Sequence, residues 1–198
     1  MFVTRAQENV LFEVDGMPPG ELLQSLHDQA SPRDRELFRT SLFLGIEMRE
    51  ALEEYRGGDF LIRNLVEMDP RSGAMVVAAR LHDRQVVQFH LRDARASAQD
   101  LDERLGSYRA DIDREQPPAG ALLFSCLGRG RHLYGQPNHD SNAFRRHLGE
   151  VTLAGFFCNG EIGPVQGQTF LHGYTSAFGI FRPARSLPLT RQTPIERP

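Results

Sequence analysis

Two short apolar runs, each leading into a cysteine, constrain the fold of this chain more than any other feature. The runs cover residues 121–124 and 153–157, and they lead into Cys126 and Cys158. A third apolar run ends near His172. A strand that stops at glycine and polar residues lets the backbone approach a ligand while the polar side chains face it. The three strand ends therefore predict the edge of a single pocket.

The polar side chains at these three ends are the candidate ligand-binding residues. They are Cys126, Arg129, Arg131, Asn159, Glu161 and His172. Arg129 or Arg131 would receive the carboxylate of a ligand, and Glu161 would receive its ammonium group. This pairing is suited to a ligand of amino-acid size. The alternatives are an exposed charged turn around Gly130 and a simple turn at Asn159.

Cys126 also supports a second hypothesis, a thiol-dependent enzyme. The arginines that follow it would lower the pKa of its thiol and make it more nucleophilic. A hydrolase of this kind would also need a histidine such as His172 and an orienting Asn159 or Glu161. The alternative is a small buried thiol at the end of a strand, which is the common position of cysteine.

The two cysteines point to a reducing compartment. Cys126 and Cys158 occupy corresponding strand ends and could pair, but the lack of secretory signals favours free thiols. Because Cys158 follows the core-like run 153–157, we expect it to have a buried structural role. No apolar run approaches the length of a bilayer span and no signal peptide opens the chain, so we expect a cytoplasmic protein without membrane contact.

The charge of the chain is divided unevenly. Residues 1–118 hold 15 arginines and 22 acidic residues, whereas residues 119–198 hold 8 arginines and 4 acidic residues. The candidate site lies in the electropositive part, which suits an anionic or zwitterionic ligand. The alternative is that the acids simply lie on the upstream helices. The overall net charge of -3 gives no reason to expect nucleic-acid binding.

The histidines do not indicate a metal site. His132, His139, His147 and His172 are close in sequence to Asp140, but no pair has the HxxxH spacing of a helical ligand pair. The chain also contains no CxxC motif. The sequence therefore predicts neither a metal nor another cofactor.

Hydrophobic periodicity predicts an α+β fold in a single domain, with a mixed, mostly antiparallel sheet covered by helices. The predicted helices begin after Pro18, at a Ser31 N-cap, after an Asp93 N-cap and near Asp140. The predicted strands are residues 9–15, 41–48, 60–68, 74–81, 86–91, 121–125, 152–158 and 170–181, with a candidate bend at Gly173 in the last strand. Residues 50–58 are predicted to form a mobile polar loop, and residues 182–198 a flexible tail rich in proline and arginine.

Several blocks of the sequence resemble the C-terminal half of the FIST family. The blocks are LLFSCLGRGR, FFCNGEIGPVQG and FLHGYT, preceded in order by FEVDGMPPGELL, FLIRNLVEMDPRSGAMVVAARL and VQFHLRDA. The resemblance extends over residues 10–181. The FIST family is a sensory input domain of bacterial signalling proteins, and it also occurs in some eukaryotic F-box proteins.

The resemblance implies a non-enzymatic sensory domain over residues 1–181. Its ligand would be a small molecule, with amino acids the usual suggestion, and its partner a signalling protein such as a histidine kinase or a chemoreceptor on a separate chain. The family usually carries an additional N-terminal half, which we expect to be absent here. A structural or protein-interaction domain without a working pocket is the remaining alternative.

Overall fold

The computed structural model describes residues 1–49, 52–112, 117–165 and 167–183, so the predicted tail lies outside the described residues from position 184 onward. The helices are α1 (Pro19–Gln29), α2 (Pro32–Thr40), α3 (Ala94–Asp111), α4 (Arg131–Tyr134) and α5 (His139–Leu148). The strands are β1 (Val3–Gln7), β2 (Val10–Val14), β3 (Leu42–Glu47), β4 (Phe60–Met68), β5 (Met75–Val77), β6 (Val87–Leu91), β7 (Gly120–Cys126), β8 (Leu153–Cys158), β9 (Glu161–Val165), β10 (Gln168–His172) and β11 (Ser176–Phe181). The α+β class and the mostly antiparallel pairing are confirmed.

The N-terminal half of the chain forms a six-stranded antiparallel sheet in the order β1-β2-β5-β4-β3-β6. Its two edges meet, because Phe2 and Val86 form an antiparallel bridge and the amide of Val87 donates to the carbonyl of Met1 at 2.9 Å. The sheet therefore curls almost into a barrel. Its interior is filled by buried apolar side chains: Val3, Leu11, Val14, Leu44, Ile46, Met75, Val77, Leu81 and Val87.

A second sheet, in the order β11-β7-β8, carries the first two strand ends of the candidate site. β11 is antiparallel to β7, whereas β8 is parallel to it. A parallel pair needs a crossover connection, and α4 and α5 lie in the segment between β7 and β8. The core between this sheet and helices α3 and α5 is built from Leu101, Leu105, Ala121, Ala143 and Phe144.

The run 153–157 forms a strand as predicted, but the expectation that it lies in the core is wrong. Phe156 is 63% exposed and Phe157 is 56% exposed. β8 is the edge strand of its sheet, and the face that carries Phe156 also exposes Leu122 and Phe181. An apolar run at a sheet edge therefore has the same sequence pattern as a buried central strand.

The predicted strand over residues 170–181 is two strands in two different sheets. β10 pairs with β9 in a separate antiparallel hairpin, whereas β11 pairs with β7, and the chain changes direction between His172 and Ser176. Arg63 of β4 donates to the carbonyl of Leu171 at 3.0 Å and so ties the hairpin to the first sheet. The hairpin brings Glu161 directly opposite His172.

The capping signals at Ser31 and Asp93 are confirmed, whereas the cap expected from Asn138 or Asp140 at the start of α5 forms no side-chain hydrogen bond. Ser31 accepts a hydrogen bond from the amide of Asp34, and Asp93 accepts bonds from the amides of Arg95 and Ala96. In contrast, β1, α4 and β9 were not predicted, and the strand predicted at 74–81 is shorter than expected. No helix in the described ranges has the length and apolar character needed to cross a membrane.

Candidate functional site

The ends of β7 and β8 lie side by side, and the register pairs Cys126 with Cys158. The contact continues beyond the strands, because the amide of Leu127 donates to the carbonyl of Cys158 at 2.8 Å. Since residues paired across neighbouring strands share a face of the sheet, both cysteine side chains lie on the same face. Parallel pairing therefore brings the two predicted strand ends together.

The turn that follows Cys126 is filled by side chains of the protein itself. A Cβ atom on Gly128 would lie 2.6 Å from the ring of Tyr174, and Gly130, at a φ of 64°, has the ring of Phe157 against its backbone. Arg92 also donates to the carbonyl of Gly128 at 3.0 Å. The two glycines therefore allow aromatic rings to approach the backbone closely, which is a packing role.

Arg129 lies in this turn and forms a buried ion pair with Asp140 of α5. Its Nε donates to Oδ2 of Asp140 at 2.7 Å and its Nη2 donates to Oδ1 at 2.9 Å, while its Nη1 donates to Ser97 of α3 at 3.0 Å. Burial opposes ionisation of Asp140, but the bonds from Arg129 outweigh burial and hold the pKa of Asp140 below its usual value. All three guanidinium nitrogens of Arg129 thus have internal acceptors.

Further side chains complete the shell around Asp140. The hydroxyl of Ser125 donates to Oδ2 at 3.0 Å, and Nδ1 of His139 shares a hydrogen bond with Oδ1 at 3.0 Å. The ring of His139 stacks on Tyr134, with 3.5 Å between the ring centroids. The ion pair therefore joins α3, α4, α5 and the end of β7, and it fixes the geometry of the turn.

Glu161 is the second buried carboxylate of this region, and it is only 2% exposed. Its Oε1 accepts a hydrogen bond from the thiol of Cys158 at 3.3 Å, and its Oε2 accepts one from the hydroxyl of Thr175 at 2.7 Å. Both donors are neutral. Across the described part of the chain, no arginine or histidine lies within ion-pair distance of Glu161.

The two cysteines differ in their surroundings. Burial and the hydrogen bond to Glu161 both raise the pKa of the Cys158 thiol. Cys126 is 6% exposed, and its thiol forms no side-chain hydrogen bond with any described residue. His172 is hydrogen-bonded elsewhere, since its Nε2 donates to the carbonyl of Gly163 at 3.2 Å. A Cys–His pair for catalysis is therefore not assembled here.

The six candidate residues differ in their exposure to solvent. Cys126, Arg129 and Glu161 are buried, whereas Arg131 and Asn159 are exposed. His172 has intermediate exposure. A small cleft elsewhere, lined in part by Asp59, Gln168 and Phe170, includes none of the six.

Sequence reasoning missed Asp140, Ser97, Thr175 and Tyr174 as members of this region. A signal for Asp140 was available, because residues 119–198 contain only 4 acidic residues among 8 arginines. An acid in such a basic segment is a good candidate partner for one of its arginines. Within the described ranges, no group of three or more histidine, cysteine, aspartate or glutamate side chains is arranged to hold a metal ion.

Comparison with known proteins places the chain in a family. The model of the FIST C domain matches residues 20–164. An uncharacterized protein of Mycobacterium tuberculosis is 41% identical over 179 residues, and one of Mycobacterium bovis is 38% identical over 179 residues. Each alignment covers 90% of this chain and 46% of the relative, so the chain spans about half the length of these curated relatives.

A more distant similarity extends to plants. An F-box/LRR-repeat protein of Arabidopsis thaliana is 32% identical over 109 residues, which is 48% of this chain and 20% of that protein. FIST domains are in general sensory domains of signal transduction. The family match covers residues 20–164, which include the strand ends that carry five of the six candidate residues. This chain therefore belongs to the FIST C domain family.

Proposed function

We propose that this domain senses a small molecule with an ammonium group and a carboxylate, such as an amino acid, and passes the signal to a protein partner on a separate chain. The ligand would bind where β7, β8 and the β9–β10 hairpin end. We place the domain in the cytoplasm and assign it no catalytic step. The observation that supports this ligand class is the burial of Glu161 without a nearby cation among the described residues.

Burial of an ionised carboxylate is costly unless another charge or strong hydrogen bonds compensate for it. The two donors to Glu161 are a thiol, which is a weak donor, and a hydroxyl. A ligand ammonium group in this place would supply the missing positive charge. Its approach requires a small displacement of Cys158 or Thr175, and such a displacement is a starting point for a conformational signal.

We assign the ligand carboxylate to Arg131 and a supporting role to Arg129. Arg131 is exposed and forms no ion pair with a described residue, whereas every guanidinium nitrogen of Arg129 is engaged inside the protein. Asn159 and His172 supply further polar groups for the ligand, and Cys126 supplies an apolar contact. The net positive charge of residues 119–198 favours approach of the carboxylate.

A thermal-shift series tests this assignment. The ligands are amino acids, the amines that lack their carboxylate and the acids that lack their ammonium group. A ligand at one hundred times its dissociation constant adds about 2.7 kcal/mol, which raises the melting temperature of a domain of this size by about 5–10 °C. We expect an amino acid to give this shift, and Glu161→Gln to abolish it.

Arg145 of α5 offers a matched control for Arg131, because it is also an exposed arginine. We expect Arg131→Ala to reduce the shift given by an amino acid and to leave the response to the amine unchanged. Arg145→Ala should respond as the wild type does. Equal shifts in the wild type and in Glu161→Gln would contradict the proposed site.

A further inference from the structure

Cys126 and Cys158 lie next to each other at the ends of two paired strands. They are register partners in the parallel ladder of β7 and β8, and both are free thiols. Neighbouring strands lie about 4.7–4.9 Å apart, and the Cα atoms of a disulfide are usually about 4.4–6.8 Å apart. The usual spacing of two paired strands therefore lies within the Cα–Cα range of a disulfide.

The side-chain arrangement is consistent with such a bond. The two side chains lie on the same face of the sheet because the residues are paired. The thiol of Cys158 lies 3.6 Å from the carbonyl oxygen of Ser125, the residue directly before Cys126, so it leans toward β7. Cys158 is half-buried and Cys126 is buried, which makes Cys158 the more accessible of the two.

We propose that Cys126 and Cys158 form a reversible disulfide across the β7–β8 pair by exchange with a low-molecular-weight disulfide. The thiol of Cys158 loses its proton to solvent, and its sulfur attacks one sulfur of the reagent. The reagent disulfide breaks, and one reagent thiolate leaves and takes up a proton.

The second half of the exchange closes the bond within the chain. The sulfur of Cys126, after loss of its proton to solvent, attacks the sulfur of Cys158 in the mixed disulfide and releases the second reagent thiol. In total, two protein thiols and one reagent disulfide become one protein disulfide and two reagent thiols. The protein sulfurs are oxidised and the reagent sulfurs are reduced.

Oxidation would also change the surroundings of Glu161. The thiol proton that Glu161 now accepts is lost, and Thr175 remains as its neutral donor. If Glu161 binds a ligand ammonium group, as proposed above, the redox state of the two cysteines changes the ligand site. The disulfide itself does not depend on that ligand, so the two proposals are tested separately.

The test is incubation of the folded, reduced protein with oxidised glutathione, followed by alkylation with iodoacetamide under denaturing conditions and mass spectrometry. We expect the monomer to lose two hydrogen atoms, to take up no alkyl group and to yield one cross-linked peptide that contains Cys126 and Cys158. Dithiothreitol should restore two alkylation sites. Each result is read without any ligand present.

Two single substitutions separate the steps of the exchange. Cys126→Ser should stop at a mixed disulfide on Cys158, and Cys158→Ser should react at least tenfold more slowly because Cys126 is buried. Circular dichroism tests whether each variant is folded. If a serine variant is not folded, the alanine variant at the same position is used instead. The proposal is overturned if the wild type keeps two alkylation sites, stops at the mixed disulfide or links two chains.

Discussion

The two buried carboxylates of this region, Asp140 of α5 and Glu161 at the start of β9, have similar exposure, but only Asp140 lies beside an arginine. Asp140 is 6% exposed and Glu161 is 2% exposed. Asp140 receives two hydrogen bonds from the guanidinium of Arg129, whereas Glu161 receives bonds from the neutral side chains of Cys158 and Thr175. One charge is balanced inside the protein, and the other has no cation close to it among the described residues.

This difference shows how adjacent polar residues of one sequence segment take different roles. Arg129 and Arg131 are separated only by Gly130, yet one is a buried structural partner and the other is an exposed cation. The ion pair of Arg129 and Asp140 stabilises the turn, and we assign ligand recognition to Arg131 and Glu161. Substitutions at Asp140, Gly128 and Glu161 separate these two roles.

Removal of the charge on Asp140 should have the largest effect on stability. Asp140→Asn leaves the guanidinium of Arg129 buried without its counter-charge, and breaking a buried pair in this way costs about 3–5 kcal/mol. Urea unfolding followed by circular dichroism measures the loss. Asp102→Asn is the matched control, since Asp102 and its partner Arg146 are exposed, its second partner His147 is half-buried, and the expected cost is below about 1 kcal/mol. Equal costs for the two variants would refute the structural role of Asp140.

The same ion pair predicts that the free energy of unfolding depends on pH. Because the pKa of Asp140 is lower in the folded state than the value of about 3.9 in the unfolded chain, its stabilising contribution is complete above that value. The contribution is lost as the pH falls through the folded pKa. Measured between neutral and acidic pH, the free energy of unfolding should fall less steeply in Asp140→Asn than in the wild type. Identical slopes would show that Asp140 does not contribute.

An added methyl group at Gly128 should have an intermediate effect. The new Cβ atom would lie 2.6 Å from the ring of Tyr174 and 2.8 Å from Nη1 of Arg92, so both side chains must move. Overpacking of this kind costs about 1–3 kcal/mol. Gly173→Ala is the control, because nothing lies within 4 Å of its added Cβ, and it should change stability by no more than about 0.5 kcal/mol. If Gly128→Ala behaves like the control, the turn has open space that a ligand can enter.

The smallest effect on stability is expected for Glu161→Gln. This variant keeps the shape of the side chain and removes a buried charge that no described cation balances, so the free energy of unfolding should change by no more than about 1 kcal/mol. Chemical denaturation of this variant beside Asp140→Asn compares the two carboxylates directly. A cost for Glu161→Gln as large as that for Asp140→Asn would mean that Glu161 is a structural residue.

Local signals predicted those parts of the fold that local interactions determine. Ser31 and Asp93 cap helices through hydrogen bonds to amides two or three residues away, so their roles can be derived from neighbouring residues. The division of residues 170–181 into β10 and β11 could not be derived in this way. It depends on which distant strand each half pairs with, β9 in one case and β7 in the other.

The roles of the candidate site residues depend on contacts of the same long-range kind. Arg129 is buried because Asp140 of α5 and Ser97 of α3 meet it, and neither is its neighbour in sequence. Phe156 has the pattern of a core residue but is exposed because its strand lies at the edge of a sheet. The sequence predicted that the two cysteines lie at strand ends, but it did not separate the buried structural residues of this region from the exposed ones.

Calorimetric titration of the reduced protein with the amino acid that gives the largest thermal shift tests the central claim most directly. The wild type, Glu161→Gln and Arg145→Ala are compared at one pH and one salt concentration. If Glu161 receives the ammonium group of the ligand, Glu161→Gln should weaken binding at least about tenfold, or about 1.4 kcal/mol, while Arg145→Ala binds as the wild type does. Equal affinity in the wild type and Glu161→Gln would contradict the account, since the buried carboxylate would then have no part in recognition.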